Sequence, residues 1–179
     1  MAKREKGGSA LPQCEALAAP LAQSMELILW DTELVKEGGT LVLRYTIDRE
    51  DGVDLDACEA FSRAVEQALD EADPIPGSYR LEVQSAGIDR PLKHPWHFAR
   101  YEGEAVEIKL YAPLGGTLPE AKELELTLLD ARQPAAVKRF EATLIGLADG
   151  TLTLADRAER RFSLPLADIA QVRLAVDWS

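Results

Sequence analysis

The chain has 179 residues, 46% of them hydrophobic, and a formal net charge of −11. That length holds one or two small domains, and that apolar fraction excludes global disorder. No apolar run approaches the roughly 18 residues that a membrane-crossing helix needs.

Residues 1–9, MAKREKGGS, carry Lys3, Arg4 and Lys6 with no apolar run behind them. They are expected to be a flexible tail and not a signal peptide. Residues 10–24 place Leu11, Cys14, Ala18 and Leu21 at helical spacing, with Met25 next. Pro12 suits a first turn, and Pro20 is expected to kink the helix or mark its last turn. Residues 26–36 and 40–48 alternate as strands around the turn Glu37-Gly38-Gly39, which predicts a hairpin. Then Leu55, Cys58, Phe61, Val65 and Leu69 recur at helical spacing behind Asp54, a good N-cap. Pro74 and Pro76 end this helix. Tyr79, Leu81 and Val83 alternate with Arg80, Glu82 and Gln84 in a third strand. The first domain, 10–92, therefore reads as α+β, with two helices on a three-stranded sheet.

The third strand runs into Ser85-Ala86-Gly87-Ile88-Asp89-Arg90-Pro91-Leu92, where glycine and proline force a corner. Ser85, Gly87, Asp89, Arg90 and Pro91 are candidates for a recognition surface or a domain joint. Residues 93–101, KHPWHFARY, are expected to link the domains, with Trp96, Phe98 and Tyr101 plugging the seam. Residues 102–179 hold about five short alternating runs, with Asp149-Gly150 as a hairpin turn, and predict a small closed or nearly closed β-barrel. Residues 112–136 interrupt them as a long loop or lengthened hairpin.

The charge is uneven. Residues 1–90 hold nine Lys and Arg against eighteen Asp and Glu, and residues 91–179 hold eleven against thirteen. An acidic first half argues against that half gripping phosphates and suits a basic protein partner, or simply keeps the chain soluble. Seven of those acids lie between Asp54 and Asp73 with only Arg63 to offset them. Asp54, Asp56, Glu59, Glu66 and Asp70 lie on or near the polar side of the second helix, opposite Leu55, Phe61, Val65 and Leu69. They form either a solvated face or an acidic docking face. The basic clusters of the second half are Lys138-Arg139 and Arg157, Arg160 and Arg161, the candidate RNA contacts.

Catalytic signatures are missing. There is no Gly-rich loop ending in Gly-Lys-Ser/Thr, and Ser85 does not sit in a nucleophile elbow. The acids from Asp48 to Asp56 lack calcium-loop register. His94 and His97 are separated by Pro95 and have no partner ligands, so neither metal nor cofactor is expected. Cys14 and Cys58 read as small apolar core residues in a reducing compartment.

Three segments together resemble the bacterial ribosome maturation factor RimP family. They are YTIDREDGVDLDACEAFSRAVEQALDE, YRLEVQSAGIDRPL and a strand-rich region ending in FSLPLADIAQVRL. The resemblance spans roughly residues 11–176. Ala86 departs from it, standing where the family usually has proline, which implies a less stiff turn. The segment 112–136 is longer than in the typical member. The resemblance implies a non-catalytic, monomeric cytoplasmic factor with an N-terminal α+β domain and a C-terminal SH3-like (Sm-like) barrel. Its expected partners are the small (30S) ribosomal subunit precursor, a basic small-subunit ribosomal protein and rRNA, with no membrane. A general RNA-binding module built on the barrel is the competing reading.

Overall fold

The computed structural model describes residues 5–87 and 90–175. The chain divides into two compact units, the first ending at Gly87 and the second beginning at Ile88.

The first unit opens with α1 (Glu5–Ser24), so part of the expected tail is helical from Glu5. Both Pro12 and Pro20 lie inside this helix. Pro20 removes one backbone donor, but Ala18 and Ala22 on either side of it are buried, and the helix runs on to Ser24. The buried stripe is Ala10, Cys14, Ala18 and Ala22, four residues apart, while Leu17, Leu21 and Met25 are half-buried beside it. Of the expected face Cys14 and Ala18 are fully buried, while Leu11, Leu21 and Met25 are only half-buried, and the small side chains let the helix approach closely.

The strands β1 (Ile28–Glu37) and β2 (Thr40–Asp48) form an antiparallel hairpin from Ile28↔Asp48 to Glu37↔Thr40. Its turn needs positive φ at both Gly38 and Gly39, at 57° and 80°. A bulge between Leu29 and Asp31 shifts the register by one at Trp30. The helix α2 (Leu55–Ala72) then crosses over to β3 (Arg80–Ser85), which runs parallel to β2 from Val42↔Arg80 to Ile47↔Ser85. Asp54 caps α2 by accepting from the Ala57 N–H at 2.8 Å. At its other end Asp73 adopts left-handed φ of 45° and donates its N–H to the Leu69 carbonyl.

The core of this unit joins the α1 stripe to Leu43, Tyr45 and Ile47 of β2 and to Phe61, Val65 and Leu69 of α2. Tyr45 is fully buried. Its hydroxyl donates to the Cys14 carbonyl of α1 at 2.7 Å, and its ring meets Phe61 edge-on, with centroids 5.8 Å apart. Val42, Thr46 and Asp48, on the other side of β2, are buried as well, so this strand lacks the single buried face that its alternation suggests. Arg44 stands between its cross-strand neighbours Glu33 and Glu82 and reaches both, at 3.5 and 2.8 Å, with Glu37 at 2.8 Å. One guanidinium thus ties all three strands in register.

The second unit contains α3 (Pro95–Arg100) and the strands β4 (Ala105–Leu110), β5 (Thr127–Leu128), β6 (Arg139–Ala148), β7 (Thr151–Ala155), β8 (Arg161–Pro165) and β9 (Ile169–Leu174). They pair as β8-β7-β6-β4-β9, with β5 added on β6. Asp149 and Gly150, both at positive φ, make the β6–β7 turn as expected. Val106, Ile108, Phe140, Leu144, Leu152, Leu154 and Leu164 fill the inner face, each fully buried.

The expected barrel closure is not found. Among the described residues β8 and β9 end an open sheet. The second edge of β9 is taken by the chain at Arg90–Leu92: Leu92 donates to Val172, Leu174 donates to Arg90, and Pro91 bridges Arg173.

The stretch expected as a linker holds α3. His97 is buried there, and its Nδ1 accepts from the Lys93 and His94 N–H groups at 2.9 and 3.0 Å. Phe98, also buried, lines a groove with Leu92, Leu166 and Ile169 of the same unit.

The segment expected as a long loop is folded. It contains α4 (Leu114–Thr117), a 3-10 turn at Pro119–Glu123, β5 and a second 3-10 turn at Pro134–Ala136. Leu114, Leu118, Ala121, Leu124 and Leu126 are buried in it. A side chain at Gly115 would lie 2.8 Å from the Ala135 carbonyl, so only glycine fits where α4 meets the second turn.

Tyr45→Phe, which removes only the hydroxyl, is expected to cost about 1 kcal/mol. Phe61→Ala should cost about 3–5 kcal/mol by opening a cavity under the same ring. Urea unfolding of the two variants checks both the order and the sizes.

Candidate functional site

At the corner after β3, Ser85 is exposed and Gly87 has φ of 60°, the left-handed region that favours glycine. Ala86 is buried and donates its N–H to the Ile47 carbonyl at 2.8 Å, which extends the β2–β3 ladder by one bond. A proline there would lack that donor, so the departure from the family pattern gives this chain a hydrogen bond. Asp89 lies outside the described residues. Arg90 and Pro91 belong to the second unit, where they bond the edge of β9.

The acidic candidates sit on α2. Asp54 is engaged as its N-cap. On a helix of 3.6 residues per turn, Asp56, Glu59, Arg63, Glu66 and Asp70 fall within about 80° of arc, and all are exposed. Glu59 and Arg63 form a weak solvent-facing pair at 3.6 Å. Glu66 and Asp70 line an open cleft with Gly77, Ser78, Tyr79 and Leu81. Leu55, expected on the buried side, is 73% exposed. On the wheel it falls about 20° from Glu66 and about 40° from Leu69, at the border of the buried side, and as the first residue of α2 it lies at that helix's end.

The basic candidates fall into two places. Lys138 and Arg139 open β6, and both backbone N–H groups donate to Asp130 Oδ1 at 3.0 Å. The Arg139 side chain holds Glu107 Oε1 through Nε and Nη2 at 3.2 and 2.8 Å, and Arg173 reaches Glu107 Oε2 at 2.9 Å. Burial would raise the Glu107 carboxyl, but the two guanidiniums hold it below its ordinary value. Arg157, Arg160 and Arg161 lie at the β7–β8 turn. Arg160 is committed to Asp156, with Nε at 3.0 Å, and to Glu125 at 3.5 Å. Arg157 and Arg161 are exposed and have no ion-pair partner among the described residues.

Sequence reasoning missed Asp156. Its carboxylate is buried and accepts from the N–H groups of Glu125, Ala158 and Arg160, all at 2.9 Å, and from Arg160 Nε. It therefore closes the β7–β8 turn and pins the segment before β5. Nothing in a lone aspartate between Ala155 and Arg157 signals this. It also missed Lys109 and Tyr111, whose alternation with the buried Ile108 and Leu110 was readable. No cluster of His, Cys, Asp and Glu that could hold a metal occurs among the described residues. Cys14 and Cys58 are free thiols within the core cluster, and burial pushes both upward in pKa.

Residues 17–89 match the family model of the RimP N-terminal domain. The N-terminal unit belongs to the RimP family. The match runs from the second half of α1 to the corner after β3, so the RimP domain contains the acidic face of α2 and the Tyr45 core. The second unit lies beyond the matched span.

Burial raises the pKa of Asp156, but its three backbone hydrogen bonds and the charge of Arg160 outweigh that and hold it below 3.8. Its contribution to stability is present above its unfolded pKa, near 4, and is lost as pH falls through the lower folded value. Asp156→Ala should cost on the order of 2–3 kcal/mol at neutral pH, because it strands buried N–H groups. It should also flatten the acid side of the stability profile below about pH 4, as read by thermal melts across pH.

Proposed function

We propose that this chain is a ribosome maturation factor that acts on the small (30S) subunit precursor in the cytoplasm, by binding and without catalysis. The RimP N-terminal domain at residues 17–89 carries this reading. Its one-sided charge supports the mode of action: α2 turns Asp56, Glu59, Glu66 and Asp70 outward on a well-packed helix. A rigid acidic face of this kind steers and docks a basic ribosomal protein. At the corner after β3, the exposed Ser85 and Gly87 of the first unit offer a second recognition surface. The antiparallel order of the second unit, with its short strands, suits the SH3-like fold that the family resemblance implies, here opened between β8 and β9.

The competing reading is a general RNA-binding module built on the second unit. It draws on the exposed Lys138, Arg157 and Arg161. Sucrose-gradient sedimentation of cell extract separates the two. A maturation factor co-migrates with free small subunits and not with translating ribosomes, whereas a general RNA binder spreads across all RNA-bearing fractions.

Reversing two charges tests the acidic face. Glu59→Lys with Glu66→Lys leaves the Asp54 cap in place, so stability should change by only a few tenths of a kcal/mol. Affinity for purified small subunits should fall about tenfold, mostly through a slower on-rate, and raised salt should reproduce the effect on the native chain. Native on-rates in the reversed variant would leave the face as mere solvation.

A further inference from the structure

The outer face of the second unit's sheet carries a row of side chains that the reading above does not use. Val106, Ile108 and Leu110 of β4 are buried, so Glu107 and Lys109 share the other face. Lys109 pairs in register with Arg139 of β6 on one side and with Gln171 of β9 on the other. Adjacent strands lie about 5 Å apart, so these three form a row across the sheet. Lys93 extends that row, since it lines one groove with Lys109 and Gln171.

The charges along the row are unequal in their commitments. Glu107 is engaged by the guanidiniums of both Arg139 and Arg173. Lys109 is exposed and has no carboxylate partner among the described residues. Arg139 spends Nε and Nη2 on the same oxygen of Glu107, which leaves Nη1 without a protein partner among the described residues. Its side chain is 42% exposed. Two further acids lie near these cations: Glu141, two residues from Arg139 and opposite Glu107, and Asp130, whose Oδ1 accepts from the Arg139 N–H at 3.0 Å.

Tyr111 follows the last residue of β4, two residues after Lys109, and is 68% exposed. An exposed aromatic two residues along the chain from an available lysine fits a ligand that has both π-faces and negative charges, which is single-stranded RNA. We propose that the outer face of β9, β4 and β6 binds single-stranded RNA, with Lys109 and Arg139 on phosphates and Tyr111 stacked on a base. This rests on the ribosomal reading and adds to it the surface by which the second unit meets rRNA. It differs from the sequence-based set, because Arg160 is tied to Asp156 and Arg157 and Arg161 lie at the β7–β8 turn.

The test uses the full chain and a labelled short uridine oligonucleotide, read by fluorescence anisotropy at several salt concentrations. Lys109→Gln should weaken binding about fivefold and lower the slope of log affinity against log salt by about one. Tyr111→Ala should weaken it about tenfold with the slope unchanged, since stacking is not ionic. Lys36→Gln, an exposed change of equal charge in β1, is the control and should bind as the native chain does. All three sites are exposed, and native thermal melts confirm folding. The proposal is overturned if the native chain ignores the oligonucleotide, or if Lys36→Gln weakens binding as much as Lys109→Gln. It is equally overturned if Tyr111→Ala binds normally. Sedimentation of the native chain with small subunits is scored separately. If that persists while RNA binding fails, this face is refuted and the ribosomal reading stands; if it fails, the ribosomal reading is refuted.

Discussion

The first unit depends on what Tyr45 does in its centre. The ring belongs to the middle strand, its hydroxyl ends on the backbone of one helix, and its edge meets the aromatic of the other. A phenol can be buried only if its hydroxyl finds a partner, and the Cys14 carbonyl is that partner. The small residues of α1 follow from the same constraint. With Ala10, Cys14, Ala18 and Ala22 on the buried stripe, the helix backbone comes near enough to accept the bond. The acidic face of α2 then inherits its rigidity, because Phe61, Val65 and Leu69 anchor the opposite side of that helix in the same core.

Much of this was legible in the sequence, because the periods are clean. The hairpin at Gly38-Gly39, the helix behind Asp54 and the strands of the second half follow from alternation and turn chemistry. Features set by tertiary contacts were not legible. Leu55 obeys the helical spacing yet faces solvent, because a helix's first residue lies beside the core and not over it. β2 alternates like a half-buried strand but is covered on both sides. The small-residue stripe of α1 outranks its leucines because proximity, not hydrophobicity, decides which face is inward. The folded segment between β4 and β6 has no period at all. Its order comes from scattered leucines and one tight approach at Gly115, and neither yields a pattern along the chain.

The candidate surfaces divide in the same way. The acidic stripe on α2 was visible from composition and spacing, and the fold leaves most of it uncommitted. The basic clusters were visible too, but counting cations does not show how they are spent. Arg139 and Arg160 are largely bound to carboxylates of their own chain, while Lys109, isolated in sequence, is available. Charge that is already paired contributes to architecture, and unpaired charge is left for recognition. Within the clusters themselves Arg139 and Arg160 are committed while Lys138, Arg157 and Arg161 stay exposed, so density along the chain does not tell which cations are available.

The strand β5 has only two residues, yet its position matters for how copies of this protein behave toward each other. β6 is ten residues long, and β7 pairs only with its second half, from Thr143 onward. β5 pairs with Phe140 and Glu141 on the edge that β7 leaves bare. An uncovered edge there would present backbone donors and acceptors beside buried aromatics, a template on which a second chain could add a strand. The segment between β4 and β6 thus covers that edge with its own backbone. A shorter connection between β4 and β6 would leave that edge open unless a charge or a proline on β6 blunted it.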